Sequence, residues 1–177
     1  LPNQEALIDL YVRKKANTIW KSDAASLIDL GDDVVNLEFH SKMNAVGGDT
    51  LQAIQHAIDL TEDNYKGLVI ANQSQNFSVG ANLAMIFMMA LEQDYDELDF
   101  AVRTVQQTTQ KIRYSNIPIV AAPHAMTLGG GCEIAMHADI TQAAAETYMG
   151  LVEMGVGLIP GGGGTKEMAL RASALFN

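Results

Sequence analysis

Cysteine is nearly absent: Cys132 is the single one among 177 residues, so no internal disulfide can form. His40, His56, His124 and His137 show no zinc-like pairing with it, so the sequence predicts a reducing, intracellular setting with no metal. Basic residues are scarce as well. Eleven Lys and Arg against 21 Asp and Glu leave a net charge of −10, which opposes a large phosphate-backbone footprint and removes nucleic acid from the expected partners. A small anionic ligand stays compatible, because a few cations and helix N-termini can hold one inside an acidic protein. No apolar run reaches the roughly 18 residues of a membrane span, and LPNQEALIDLYVRKK lacks the charged-then-apolar order of a signal peptide. A cytoplasmic protein that does not engage membranes is expected.

What is present is a 48% apolar chain with a mixed polar remainder, enough for one domain with a real core. Gln4–Ala16 has helical composition with little core-like patterning, and Asn17–Ala25 is mixed and polar. Residues 1–25 are therefore expected as a tether or peripheral helix, and 26–177 as the core domain. The chain starts at Leu1 and stops at Asn177 soon after a helix has begun, which fits a piece of a longer protein.

Within the core, SLIDLG and DVVNLEFH are two short apolar-rich runs separated at Gly31-Asp32, the residue types of a tight turn, and predict a hairpin. Leu51, Ile54, Ile58 and Leu60 set an amphipathic helix over Asp49–Leu60. Gly67–Asn72 reads as a buried strand. A long helical region over Leu83–Arg113 breaks near Asp94–Asp96, and Ile117–Pro123 is a strand bounded by prolines, which cannot donate to a ladder. A glycine run then opens a helix to about His137, Asp139–Ala145 is a strand, and Pro160–Gly164 leads into a last helix. This alternation argues for an α/β domain built from strand–helix units.

The stretch TLGGGCEIAMHADI places Gly129, Gly130 and Gly131 directly ahead of Glu133 and a helix. Glycine in a helix costs about 1 kcal/mol against alanine, so helix formation does not account for three of them. A tight turn packing helix on strand would, and so would close approach of another molecule to the unpaired N–H groups of the first helical turn. Neither glycine cluster matches a dinucleotide fingerprint or a phosphate loop. Glu133 alone reads as a first-turn acid complementing the helix dipole, and Glu153 as a loop charge.

Four features in order carry more: NFSVGANL (Asn76–Leu83), LGGGCE (Leu128–Glu133), MGLVEMGVG (Met149–Gly157) and IPGGGGT (Ile159–Thr165). Together they resemble the crotonase superfamily, most closely the enoyl-CoA hydratases, over roughly Ser26–Arg171. Glu133 and Glu153 lie 20 positions apart, as in hydratases of that family. The resemblance implies a crotonase spiral of strand–strand–helix units, here without the C-terminal helices that family hydratases carry. It further implies an oxyanion hole from the N–H groups of Ala81 and Gly130, and two catalytic carboxylates, Glu133 activating water and Glu153 delivering the proton to carbon. The reaction implied is reversible syn addition of water to a trans-2-enoyl-CoA. Enoyl-CoA isomerisation and a non-catalytic acyl-CoA-binding or assembly module are the alternatives.

By the same resemblance, CoA should lie along the SKMNA segment and the SVGANL turn, with Ala45, Ser78, Gly80, Leu83 and Gly129 at the substrate and Lys42 facing its phosphates or simply solvated. Met85, Met88 and Met89 fall where the family forms its acyl pocket, although a methionine stripe at helical spacing is more often plain core. Two departures stand out. Asn82 replaces the family's aspartate, which bears on any role needing a negative charge there, and His124-Ala125 replace its asparagine-glycine. His124 is expected as a packed or hydrogen-bonded turn residue. The arrangement also resembles bifunctional fatty-acid oxidation proteins, so the expected partners are an acyl-CoA substrate and either further copies of the chain or other domains of a longer parent. No cofactor is expected in this chain; NAD would belong to a dehydrogenase portion outside it.

Overall fold

A computed structural model describes residues 16–176 of the protein, and the helix expected over Gln4–Ala16 falls almost wholly outside them. Strand β2 (Ala25–Gly31) turns through Asp32 and Asp33, both with positive φ, into the antiparallel β3 (Val34–Phe39). Aspartate is one of the few side chains that tolerates this region, and Gly31, also at positive φ, completes the reversal. The hairpin is the one the sequence predicts.

Leu27, Val35, Leu37 and Phe39 of this hairpin are fully or almost fully buried. Helix α1 (Gly48–Asn64) covers them with Leu51, Ile54, Ala57, Ile58 and Thr61, a stripe at helical spacing; it continues past the expected end at Leu60. β4 (Gly67–Ile70) then joins β3 in parallel, closing a strand–strand–helix unit. Parallel additions by β5 (Ile119–Ala121) and β7 (Ile140–Thr141), with β1 (Thr18–Lys21) on the far edge, give a six-stranded sheet ordered β1-β2-β3-β4-β5-β7.

Its first strand is a departure from expectation. Thr18–Lys21, inside the supposed tether, forms β1 and pairs antiparallel with β2 around a bulge. Trp20 is the reason: its half-buried indole packs on the core and meets the His56 ring at 4.8 Å, so the sheet begins before Ser26. The expected strand Asp139–Ala145 is likewise cut to two residues, because the chain peels away after Gln142 and Ala144 N–H donates to Pro123 O at 2.9 Å.

The helical region breaks where the acidic cluster predicts. Helix α2 (Leu83–Glu92) ends on Gln93 in the left-handed region, and Asp94 caps α3 (Tyr95–Arg113) by accepting the Glu97 N–H at 3.2 Å. α3 buries Thr108, Thr109 and Ile112. Two further strands, β6 (Ala125–Leu128) and β8 (Thr147–Gly150), pair in parallel as a small second sheet that the sequence does not announce. They bracket helix α4 (Gly130–His137), while α5 (Gly164–Leu175) follows the second glycine run. Among the described residues no helix is long and apolar enough to cross a membrane, and no group of three or more His, Cys, Asp and Glu side chains could hold a metal ion.

Candidate functional site

Two backbone turns meet at the start of α4. Ser78 and Thr127 form an isolated parallel bridge, with Ser78 N–H donating to Met126 O at 3.1 Å and Leu128 N–H to Ser78 O at 2.9 Å. This stitches the Val79–Ala81 turn beside β6. A methyl group on Gly80, whose φ is +86°, would lie 2.7 Å from Leu128 O and 3.2 Å from Gly130 N. One on Gly131 would fall 2.6 Å from the Ser78 Cβ. Only glycine lets these two segments touch.

The consequence is that Ala81 N and Gly130 N come close together: a methyl built on Gly130 would sit 3.8 Å from Ala81 N. Gly130 opens its helix, so its N–H has no intrahelical acceptor. Among the described residues neither N–H is found donating to a loop or turn carbonyl. The neighbouring bonds are committed, Gly129 N–H to Gly150 O at 2.9 Å and Val46 N–H to Gly80 O at 2.8 Å. Two N–H groups therefore remain on adjoining backbone turns.

Glu133 lies one turn into α4 and is 2% exposed. Its carboxylate accepts Gly162 N–H through both oxygens, at 2.9 and 3.0 Å, and Gly164 N–H at 2.8 Å. Burial pushes its pKa up from the ordinary 4.5 and the nearby Glu153 charge adds to this, while the Gly164 and Gly162 N–H groups act against it. The second glycine run is thus the cradle of this carboxylate: a Cβ at Gly162 would strike Glu133 Oε2 at 2.5 Å. The sequence displays IPGGGGT, but nothing in a linear string says that its amides point at a side chain 29 positions upstream.

Glu153 opens a short 3-10 turn (Glu153–Val156) beyond β8. Its Oε1 is 3.2 Å from where a Cβ on Gly129 would be, and its Oε2 is buried with no hydrogen-bond partner. The two carboxylates are close enough for their charges to interact. Both charges also act on the buried Cys132, whose thiol is pushed up to about 11 by burial first and then by Glu133 and Glu153; it is no nucleophile near neutral pH.

The other expected contacts divide. Gly80 and Gly129 are buried at the turns just described. Ser78 is fully buried, donating to Asn44 O at 2.6 Å and accepting Gly80 N–H at 3.2 Å, so it braces the site from within and has no surface for a ligand. Ala45 is half-buried with its carbonyl accepting the Ser41 and Thr50 hydroxyls, while Lys42 is exposed on the preceding turn. That segment reaches the site through the Val46–Ala81 bridge. Leu83 starts α2 and is exposed.

α2 itself buries no residue: Leu83, Met85, Phe87, Met88 and Leu91 are all exposed, so its methionines are not core. Asn82 caps this helix, its Oδ1 accepting Met85 N–H at 3.4 Å, a task asparagine does without a charge. His124 is held by Ser74 O at 2.7 Å as a turn residue. Ala125 takes φ +47°, a conformation suited to glycine.

The enoyl-CoA hydratase/isomerase family model matches residues 31–173. A probable 3-hydroxyacyl-CoA dehydrogenase of Bacillus subtilis is 58% identical over 157 residues, covering 89% of this chain and 20% of that protein. A putative fatty acid oxidation complex trifunctional enzyme of Rickettsia felis is 32% identical over 161 residues, covering 91% of this chain and 22% of its own length. The chain thus spans about a fifth of these curated relatives. Among solved structures, an enoyl-CoA hydratase from Bacillus anthracis superposes with a TM-score of 0.74 at 25% identity, over 82% of this chain and 57% of that one.

Proposed function

Because the chain belongs to the enoyl-CoA hydratase/isomerase family and shares its crotonase fold, we propose that it is the hydratase module of a multifunctional fatty-acid oxidation protein. It adds water reversibly to a trans-2-enoyl-CoA to give a 3-hydroxyacyl-CoA. The observation that carries this reading is the meeting of four groups from separate parts of the chain: the N–H groups of Ala81 and Gly130, and the carboxylates of Glu133 and Glu153.

The thioester carbonyl accepts both N–H groups, which oppose the charge that develops on its oxygen as an enolate forms. One such donor is worth about 10²–10³ in rate in other enzymes. Glu133, held as an acceptor by Gly162 and Gly164, takes a proton from water as its oxygen bonds to the β-carbon. Glu153, with an oxygen that has no protein partner, delivers a proton to the α-carbon. Water is consumed whole, one hydroxyl and one hydrogen added across the double bond, and a proton passed between the carboxyls resets the pair.

CoA enters as part of the substrate, with its nucleotide along Lys42–Ala45 and its acyl chain toward the exposed apolar residues of α2. Any nicotinamide cofactor belongs to a dehydrogenase portion elsewhere in such a protein. The test is the loss of crotonyl-CoA absorbance with Glu133→Gln and Glu153→Gln made separately in the full-length polypeptide. Both variants should lose most turnover. Near-normal turnover in either rejects the two-carboxylate account, and acyl-CoA binding by calorimetry without any turnover in the unsubstituted protein would favour a binding module instead.

A further inference from the structure

Next to Glu133 lies a buried pair, His137 and Glu167, that the hydration chemistry does not use. His137 is 0% exposed, four residues along α4, and its Nδ1 contacts Glu133 O at 2.8 Å. Since that oxygen can only accept, Nδ1 carries the proton and Nε2 is left facing Glu167 Oε1 at 3.6 Å. Glu167, also 0% exposed, sits in the first turn of α5 with its N–H donating to Gly163 O at 3.0 Å. Lys166 Nζ at 3.1 Å and Arg113 of α3 at 3.6 Å are the other charges facing its carboxylate.

The imidazole is the floor of the Gly162–Gly164 loop. A Cβ on Gly163 would lie 3.2 Å from His137 Nε2 and 3.3 Å from Cε1, so the loop rests on the ring edge. Its roof is α3, where the Thr109 hydroxyl donates to Gly162 O at 2.8 Å and Gln106 Nε2 to Gly161 O at 2.9 Å. The two amides that cradle Glu133 flank the residue seated on the ring.

We infer that His137 and Glu167 are positioning residues: together they press the Gly162–Gly164 amides onto the Glu133 carboxylate and so set how readily that carboxylate takes a proton. The inference rests on the proposed role of Glu133 as the base for water. Burial first, with Lys166 and Arg113 adding, holds His137 below its ordinary 6.5, against the upward pull of Glu133 O and Glu167. The ring is thus less ready to take a second proton than a free imidazole.

Removing the pair should loosen the loop, weaken the amide bonds to Glu133 and raise the pH at which Glu133 ionises. The sign is diagnostic. Glu167→Gln deletes a negative charge, and by electrostatics alone would shift Glu133 downward. His137→Asn keeps a donor for Glu133 O, removes the Nε2 edge and introduces no charge of its own.

The experiment is a carboxyl-carbon NMR titration of Glu133 in the full-length polypeptide, unsubstituted and with each variant, alongside kcat and KM for crotonyl-CoA. The expected result is a Glu133 midpoint displaced to higher pH in both variants, with kcat down by about tenfold and KM within about twofold. A midpoint that stays or falls in a folded variant, with only the melting temperature lowered, overturns the inference. Either variant suffices should the other fail to fold. If the unsubstituted protein does not hydrate enoyl thioesters, the functional reading fails on its own, while the titration still decides whether this pair sets the Glu133 carboxylate.

Discussion

Both carboxylate oxygens of Glu133 accept the single backbone N–H of Gly162, at 2.9 and 3.0 Å, across 29 residues of sequence. The contact fixes where the carboxylate points, because Gly164 adds a second donor at 2.8 Å from the next turn of chain.

Glu133→Asp tests that reach. A side chain shorter by one methylene cannot hold both amides and still reach the attacking water of the proposed mechanism, so hydration of crotonyl-CoA should fall by about 10²-fold or more. Binding of a saturated acyl-CoA, which the proposed mechanism assigns to the Ala81 and Gly130 N–H groups, should stay within a few-fold by calorimetry. A variant with unaltered turnover would remove the geometric role given to Glu133.

Glu133 and Glu167 should make opposite contributions to stability as pH changes. The folded-state pKa of Glu133 is raised, so the folded protein binds the extra proton, and stability from this group is lost as pH rises from the ordinary 4.5 through the folded value. For Glu167, burial acts upward but the contact with Lys166 and the charges of His137 and Arg113 outweigh it, holding the carboxyl low. Its contribution is present above 4.5 and fades as pH falls through the depressed value. Urea unfolding at several pH values should show the wild type losing ground to Glu133→Gln as pH increases, and losing ground to Glu167→Gln as it decreases.

Gly131→Ala should destabilise by about 1–3 kcal/mol, because the new methyl lands 2.6 Å from the Ser78 Cβ between two packed backbones. Gly150→Ala is the control, with nothing within 4 Å of its added methyl, and should change stability by less than about 0.5 kcal/mol. Denaturant midpoints measure both. Equal effects would mean that the turn pair has slack that the geometry does not indicate.

Ala125→Gly should stabilise. Alanine at φ +47° carries a strain of roughly 1–2 kcal/mol that glycine lacks, offset by about 0.4–1 kcal/mol of added freedom in the unfolded chain. A net gain of between zero and about 1.6 kcal/mol is expected in urea unfolding, with unchanged hydration. A clear loss would show that the Ala125 methyl packs more tightly than it is strained.

Much of this was legible in the string. The Gly31–Asp33 reversal, the Leu51–Ile58 stripe and the Asp94 break are local signals, and each acts where its residues stand. Ala81, Gly130, Glu133 and Glu153 were singled out by motif, and the fold brings them to one place. What escaped depends on distant partners. β6 and β8 are four-residue strands of mixed composition, stabilised by each other and not by local preference. β1 hangs on one tryptophan meeting the core. Ser78 is expected at the substrate, but the glycines opposite let α4 close over it, and nothing in the string singles out Glu167, whose neighbour His137 lies 30 positions upstream.

The parallel pairing of β6 with β8, from Ala125 opposite Thr147 to Leu128 opposite Gly150, runs directly into the two halves of the site. Gly130 follows one strand and Glu153 the other, so their spacing is gauged by rungs of a ladder and not by the length of the connecting chain. The exposed tip at Ala143–Glu146 can lengthen, or carry a grafted peptide, without moving the chemistry, whereas a single residue added between Leu128 and Gly130 would put the two halves out of step.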